Sequence, residues 1–181
     1  MTGVSLRPLA SDDLPFMADL IGDRAAVGVH NWGGPVDRDV VLERLTAGLA
    51  ENGLCSAGAG RLLVALDDVS IGSVSWRPVS WGPSPESACP SIGIALLPAF
   101  RGRGFGTDAQ RLLVRFLYGQ FPFQRIQADT AVDNPAERKS LERAGFVCEG
   151  LIGAAEFRGG RYHDHLLYAI LRRDVGDLEA M

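Results

Sequence analysis

The stretch that most constrains this chain runs from IGIALLP (92–98) through FRGRGFGTDAQ (100–110) to RLLVRFLY (111–118). An apolar, strand-like run is handed to a helical pattern across a junction holding three glycines and two arginines. A bare turn does not need so many. Gly102, Gly104 and Gly106 let the backbone come close to a ligand and point successive amides one way. A helix start adds unpaired N–H groups and a partial positive charge, which suits phosphate. Arg101 and Arg103 can add charge-assisted bonds to a pyrophosphate. The helix beyond is well founded: Phe105, Ala109, Leu112, Leu113, Phe116 and Leu117 fall on one stripe that must bury against a sheet. A Walker A loop needs Gly-Lys-Ser/Thr after its glycines, which this stretch lacks, and a dinucleotide fingerprint needs G-x-G-x-x-G where the chain has G-x-G-x-G. Taken alone, these residues leave two readings open, an anion site and a glycine-rich turn with solvated arginines.

The remaining patterns place that junction in a mixed fold. VSLRPL (4–9) alternates as a strand. SDDLPFMADLIGD (11–23) opens with helix-start residues and sets Leu14, Met17 and Leu20 on one face. Residues 25–37 read as a glycine-rich loop, and 38–53 as a helix stopped by Gly53. RLLVALD (61–67) and SIGSVSWRPVS (70–80) are strands joined tightly at Asp67-Asp68. Residues 81–90 form a proline-rich loop, 91–97 a strand, 124–132 an alternating strand and 134–146 a short helix ending at Gly145. Residues 146–157 and 162–173 are strands around RGGR. The order β-α-α-β-β-β-α-β-α-β-β predicts one α/β (α+β) domain over about 4–174, with a polar tail at 175–181.

Composition excludes several classes. A 46% apolar chain of 181 residues can bury a sizeable core, and its net charge of −4 speaks against a nucleic-acid binder. Cys55, Cys89 and Cys148 are odd in number and form no Cys-x-x-Cys pair, so a reducing cytosol is the simplest compartment. The N-terminus lacks a secretory pattern and no apolar window is long enough for a membrane span, so no membrane partner is expected.

Arg-x-x-Gly-x-Gly (Arg101, Gly104, Gly106), between a strand and an amphipathic helix, resembles the coenzyme A pyrophosphate motif of the GNAT N-acetyltransferases. Asn134 with SLERAGF (140–146) looks like that family's Asn-x(10)-Gly-Phe stretch. Residues 149–174 look like the C-terminal hairpin of its ribosomal-protein alanine and spermidine acetyltransferase branch. The resemblance covers roughly 4–174. It implies a mostly antiparallel twisted sheet of about seven strands flanked by about four helices. It also implies an acetyl-CoA-dependent N-acetyltransferase that uses no metal and transfers directly, in a ternary complex, to a primary amine: a protein N-terminus, a polyamine or an amino-bearing small molecule. In this likeness the backbone of Ile94, Ala95 and Leu96 would hold the pantetheine arm and polarise the thioester. Arg101, Gly102, Arg103, Gly104, Phe105, Gly106 and Thr107 would cradle the pyrophosphate, and Asn134 would bond a pantetheine amide. Asn134 also reads as a helix N-cap, with Pro135 first and Glu137 third, so a capping box is expected.

The catalytic groups are where the chain departs from the family pattern. Leu141 stands where many members carry a tyrosine, Glu137 where the alanine-acetyltransferase branch often carries a serine, and Ser91 where many carry a glutamate. Ser140, Glu156 and His163 are the candidates put forward, with Asp164, His165, Tyr168 and His30 also in view. His163 and His165 should face one way and Asp164 the other; the pair lacks a third metal ligand at helpful spacing. The acceptor is expected opposite the coenzyme, under a lid at 27–34, with His30, Asn31, Trp32 and Trp76 as contacts, although Trp76 also reads as a core residue. Two other functions stay in view: a coenzyme A-binding module without catalysis, and a Rossmann-type NAD(P)-binding protein. HLLYAIL (165–171) could pair two copies as a homodimer if it lies at a sheet edge.

Overall fold

The computed structural model describes residues 3–52 and 57–176. Gly53, Cys55 and residues 177–181 of the tail lie outside them. The elements are β1 (Val4–Pro8), α1 (Leu14–Gly22), α2 (Arg24–Val27), α3 (Arg38–Asn52), β2 (Gly60–Leu66), β3 (Val69–Ser80), β4 (Ala88–Leu96), α4 (Phe105–Gln120), β5 (Arg125–Ala131), α5 (Pro135–Ala144), β6 (Val147–Arg158) and β7 (Arg161–Leu171). The seven strands form one sheet in the order β1-β2-β3-β4-β5-β7-β6. Neighbours are antiparallel except β4 and β5, which run parallel.

Three local features differ from expectation. The segment 25–37 is not all loop: α2 makes one turn there, started by Asp23, whose side chain accepts the Ala25 N–H at 2.8 Å. This raises the described α-helices from about four to five. Strand β4 begins at Ala88, inside the expected loop. Pro90 sits directly opposite Pro78, so one rung absorbs both missing N–H groups, as a non-hydrogen-bonded rung can. HLLYAIL, finally, is not at an edge. It lies in β7, hydrogen-bonded on both sides by β5 and β6, so it has no free edge with which to pair a second copy.

The two faces of the sheet bury separate cores. Along β2, Leu62 and Val64 turn to one face, where they meet Ala109, Leu113, Val114 and Leu117 of α4. Leu63 turns to the other, against Met17 and Leu20 of α1 and Val41 and Leu45 of α3. The stripe on α4 thus does what its spacing requires; Leu113 and Leu117 are fully buried, each contributing about 2 kcal/mol.

What positions the site is the junction of β4 with β5. Ser91 opposite Gln127 is the single paired position between them among the described residues. Beyond it the strands diverge and leave a wedge beside the C-terminal half of β4. The outer side of that half is held by β3, where Gly72 lies opposite Leu96. A Cβ at Gly72 would come 2.2 Å from the Ala95 carbonyl oxygen, and backbone cannot yield as a side-chain tip can. Gly72→Ala is expected to cost about 1–3 kcal/mol and to lower Tm by several degrees in a thermal melt.

Candidate active site

The wedge opens, on the α4 side, into a cleft of about 400 Å³ lined by Ile94, Leu96, Gly104, Gly106, Asn134 and Glu137 among others. Its mouth is the start of α4. Gly102 (φ +70°) and Gly104 (φ +90°) adopt left-handed conformations that a side chain resists. Phe105, Gly106 and Thr107 are the first three helical residues, and the first intrahelical bond runs from the Asp108 N–H to the Gly104 carbonyl at 3.1 Å. Their amides therefore have no acceptor within the helix. They open onto the cleft at the positive end of a 16-residue helix.

The two arginines of the junction do something else. The Arg101 guanidinium turns inward: Nε donates to the Leu96 carbonyl at 2.8 Å and Nη2 donates to the Ala26 carbonyl. It straps the end of β4 to α2 through these two backbone bonds while still lining the cleft. Arg103 lies over the Phe105 ring, 4.9 Å from its centroid.

Strand pairing decides which backbone groups face the wedge. The Leu97 N–H donates to Ile71 on β3 at 2.9 Å. Antiparallel alternation then spends the Ala95 N–H on Ser73, its partner on β3. Ile94 and Leu96 point the other way. Their carbonyls are taken, Ile94 O by Asn31 Nδ2 at 3.0 Å and Leu96 O by Arg101. What they offer the wedge is two N–H donors. Ala95, expected to contribute, is turned away.

Opposite these donors, the start of α5 brings together a hydrogen-bonded chain. Asn134 caps α5, its Oδ1 accepting the Glu137 N–H at 3.3 Å while its Nδ2 donates to Thr130. The reciprocal half of the capping box is not made, because the Asn134 N–H donates instead to the Ala131 carbonyl. The Glu137 side chain is thereby released into the cleft, where it accepts a 2.5 Å bond from Gln110 Nε2. Gln110 Oε1 accepts from Ser140 at 2.9 Å, so the Thr107 hydroxyl, 3.2 Å from Ser140, is the donor in that pair. Ser140 thus holds Gln110, and Gln110 holds Glu137. Burial pushes the Glu137 carboxyl up to about 7, against the opposing pull of the Gln110 bond. In sequence Glu137 fits the third position of a capping box, a local motif that conceals its place in the cleft.

The histidines cluster beyond the wedge. His165 lies between two carboxylates, Nδ1 2.7 Å from Asp129 and Nε2 3.3 Å from Glu156. Glu156 also accepts from Arg158 at 3.1 Å. Burial works to raise the Glu156 carboxyl, but the bonds from His165 and Arg158 outweigh it and hold it below its usual range. His163 Nδ1 is 3.4 Å from Asp133, and Asp133 is bonded in turn by Arg158. His163 and His165 share one side; Asp164 on the other accepts the Ala154 N–H at 2.8 Å, where three residues bulge from β6. His30 lines the first cleft with Nδ1 buried and 3.8 Å from Asp133; burial, helped by Arg158, lowers its pKa. Trp76 is 3% exposed and packs on Phe116 in the core, while also lining a second cleft with Arg61 and Ser75. Trp32 is half-buried and lines neither of the two principal clefts. Tyr168 is buried, its hydroxyl donating to Glu142 at 3.1 Å. Among the described residues, no three His, Cys, Asp or Glu side chains converge as a metal site, and no helix is long and apolar enough to cross a membrane.

An acetyltransferase (GNAT) domain model matches residues 4–147. The chain belongs to the GNAT family. Its curated relatives include a probable N-acetyltransferase, YjcK, of Bacillus subtilis, 33% identical over 113 residues that cover 62% of this chain and 61% of the relative. The chain spans between 45% and 61% of the curated relatives it matches. Two solved structures share the fold over most of both chains. Spermidine N-acetyltransferase from Vibrio cholerae, in complex with CoA and spermine, has a TM-score of 0.79 at 23% identity, covering 94% of this chain and 96% of that one. RimL, a ribosomal L7/L12 alpha-N-protein acetyltransferase in complex with CoA, has 0.78 at 22%, covering 94% and 95%.

Within this GNAT chain the departures noted from the family pattern acquire positions. Leu141 is fully buried and supplies no hydroxyl. Ser91, 5% exposed, sits at the closed end of the wedge. Glu137 is the carboxyl group lining this cleft from α5, beside Lys139 and Arg143.

Proposed function

We propose that this protein is an acetyl-CoA-dependent N-acetyltransferase that acts on a primary amine by direct transfer. The observation that carries this reading is the row of unpartnered amides at the start of α4, opening onto a wedge whose β4 edge offers the Ile94 and Leu96 N–H groups. The cleft fits the donor. The amides of 102–107 meet the pyrophosphate, a Cβ-free path runs over Gly102 and Gly104, and Asn134 stands where a pantetheine amide would pass.

In this reading the amine arrives as the free base from the opposite side of the wedge. Its nitrogen attacks the thioester carbonyl carbon, the new C–N bond forms, and the carbonyl oxygen gathers charge against the Ile94 N–H. Re-forming the carbonyl breaks the C–S bond. Glu137, whose carboxyl is protonated in part near neutrality, gives its proton to the departing sulfur. The surplus proton on nitrogen passes to Asp129, and solvent restores both carboxyl groups. Ser140 acts in this scheme by positioning Gln110 and hence Glu137. Glu156 and His163 lie outside the two clefts, and we assign them to holding His165 and Arg158. We place the reaction in a reducing cytosol, in keeping with free thiols at Cys89 and Cys148.

The test is release of free thiol from acetyl-CoA with a panel of primary amines, the product being checked by mass. Thiol should appear only when an amine is present, one for each acetylated acceptor. Saturable coenzyme A binding without thiol release from any amine would leave the non-catalytic module as the correct reading.

A further inference from the structure

A second cleft, of about 390 Å³, opens beside β2, β3, β4 and β5 and is lined by Arg61, Ser75, Arg77, Ser91, Gly93 and Asp129 among others. Arg61 pairs with Ser75, and Ser75 with Gly93, across three strands. They form one row on the sheet face opposite α4, because the alternate residues Leu62, Val74 and Ile92 belong to the α4 core. Arg77 and Ser91 form the next row on that face. This places the second cleft across the wedge from the coenzyme side.

Arg61 is out of keeping with its position. The residues that follow it on β2, Leu62 to Ala65, are core, yet it sets a half-buried guanidinium over the sheet. One nitrogen, Nη1, donates to Ser73 Oγ at 3.0 Å. Four of its five N–H groups remain, and among the described residues no carboxylate pairs with it. Burial alone acts on it and lowers its pKa. Withdrawing a cation from water with no carboxylate beside it is costly, whereas an apolar side chain would serve the fold at no such cost. Arg77 adds a second guanidinium one rung away. The acid of this cleft, Asp129, stands on the β5 wall with His165 against it. The cleft therefore has a cationic end over β2 and β3 and a carboxylate end at the wedge.

We propose that the acceptor carries a carboxylate as well as its amine, and that Arg61, with Arg77, holds the carboxylate while the amine lies at the wedge beside Asp129. This rests on the transfer reading above and narrows it. Paired strands lie about 4.8 Å apart and β4 and β5 diverge beyond Ser91, so the backbones of β2 and β5 are separated by at least roughly 14 Å at Asp129. An elongated acceptor matches that span: a short peptide with an acidic residue near its free N-terminus, or a long ω-amino acid. A polyamine, cationic along its length, meets like charge at Arg61 and Arg77.

Two matched pairs test this, a short C-terminally amidated peptide with Asp against Asn beyond its free N-terminus, and an ω-amino acid against its amide. In at least one pair the carboxylate member should be acetylated with kcat/KM about 10- to 100-fold higher, the worth of a hydrogen bond to a charged group. The pair that shows it identifies the source of the carboxylate. Arg61→Gln should erase the preference while coenzyme A affinity is kept. Equal rates within both pairs, or a polyamine preferred to all four, overturn the inference and leave acetyl transfer standing. If no amine is acetylated, the transfer reading fails by itself. Calorimetric binding of the same pairs in the presence of coenzyme A then decides the anion site, equal affinities refuting it. The wild-type comparison stands even if Arg61→Gln does not fold.

Discussion

Replacing Glu137 with glutamine is expected to lower kcat for acetyl transfer by about 10²- to 10⁴-fold, the range for loss of a positioned proton donor, while making the protein more stable at pH 8. Glutamine keeps the oxygen that accepts from Gln110, so the chain from Thr107 to α5 stays intact. It cannot give a proton to sulfur. The stability effect has the opposite sign for a linked reason. The Glu137 carboxyl titrates at about 7 in the folded chain against an ordinary value of 4.5. Below pH 4.5 it is protonated whether the chain is folded or not, and stability is unaffected. As pH rises from 4.5 to 7 the unfolded chain ionises first, which draws the equilibrium toward unfolding, and above 7 the penalty is complete. Each pH unit of displacement is about 1.4 kcal/mol; with the cleft partly open to solvent, roughly 1–3 kcal/mol is the expected gain from glutamine at pH 8. The two proteins should unfold alike at pH 4. The fall in wild-type activity above a pKa near 7 should disappear in the variant. A variant of unchanged kcat that retains that limb removes Glu137 from the chemistry.

Gly106→Ala is the second large effect, and it too separates folding from function. Gly106 is an ordinary helical position, where alanine stabilises by about 0.5–1 kcal/mol. The added methyl would lie 3.5 Å from Ser140 Oγ, 3.7 Å from Leu96 Cδ1 and 3.8 Å from Ile94 Cδ1, all ordinary contacts, so the unliganded protein accommodates it. All three neighbours line the cleft at the start of α4, and in the proposed reading the methyl stands where phosphate approaches the helical amides. Coenzyme A affinity is expected to fall about 10- to 100-fold, a loss of one or two charge-assisted bonds, with Tm level or raised. Undiminished affinity would place the pyrophosphate elsewhere.

The sequence carried the architecture because its information is local. The spacing of Leu113 and Leu117 names the buried face of α4, and Asp67-Asp68, both at positive φ, form the two-residue turn that sets the β2–β3 hairpin. A single turn such as α2 is too short for periodicity to report. The site was harder, since what each residue does there depends on a distant partner. Arg101 is tied down by a carbonyl 75 residues earlier, at Ala26. The direction of Ala95 follows from the register with β3, which no pattern within 91–97 specifies. Glu137 satisfies a capping motif in sequence, yet a donor 27 residues away, Gln110, draws its side chain into the cleft. Arg61 reads as the polar start of a strand until the sheet shows it half-buried, with no carboxylate among the described residues paired to it.

The central claim is that the junction of β4 and α4 holds the pyrophosphate of coenzyme A. Calorimetric titration of the protein with coenzyme A, pantetheine and NADPH tests it most directly. Pantetheine keeps the arm and the thiol but lacks the pyrophosphate. Binding of coenzyme A at least about 100-fold tighter than pantetheine, with that gap narrowed in Gly106→Ala and no competition from NADPH, is the result expected here. Pantetheine binding as tightly as coenzyme A, or NADPH displacing it, would contradict the account.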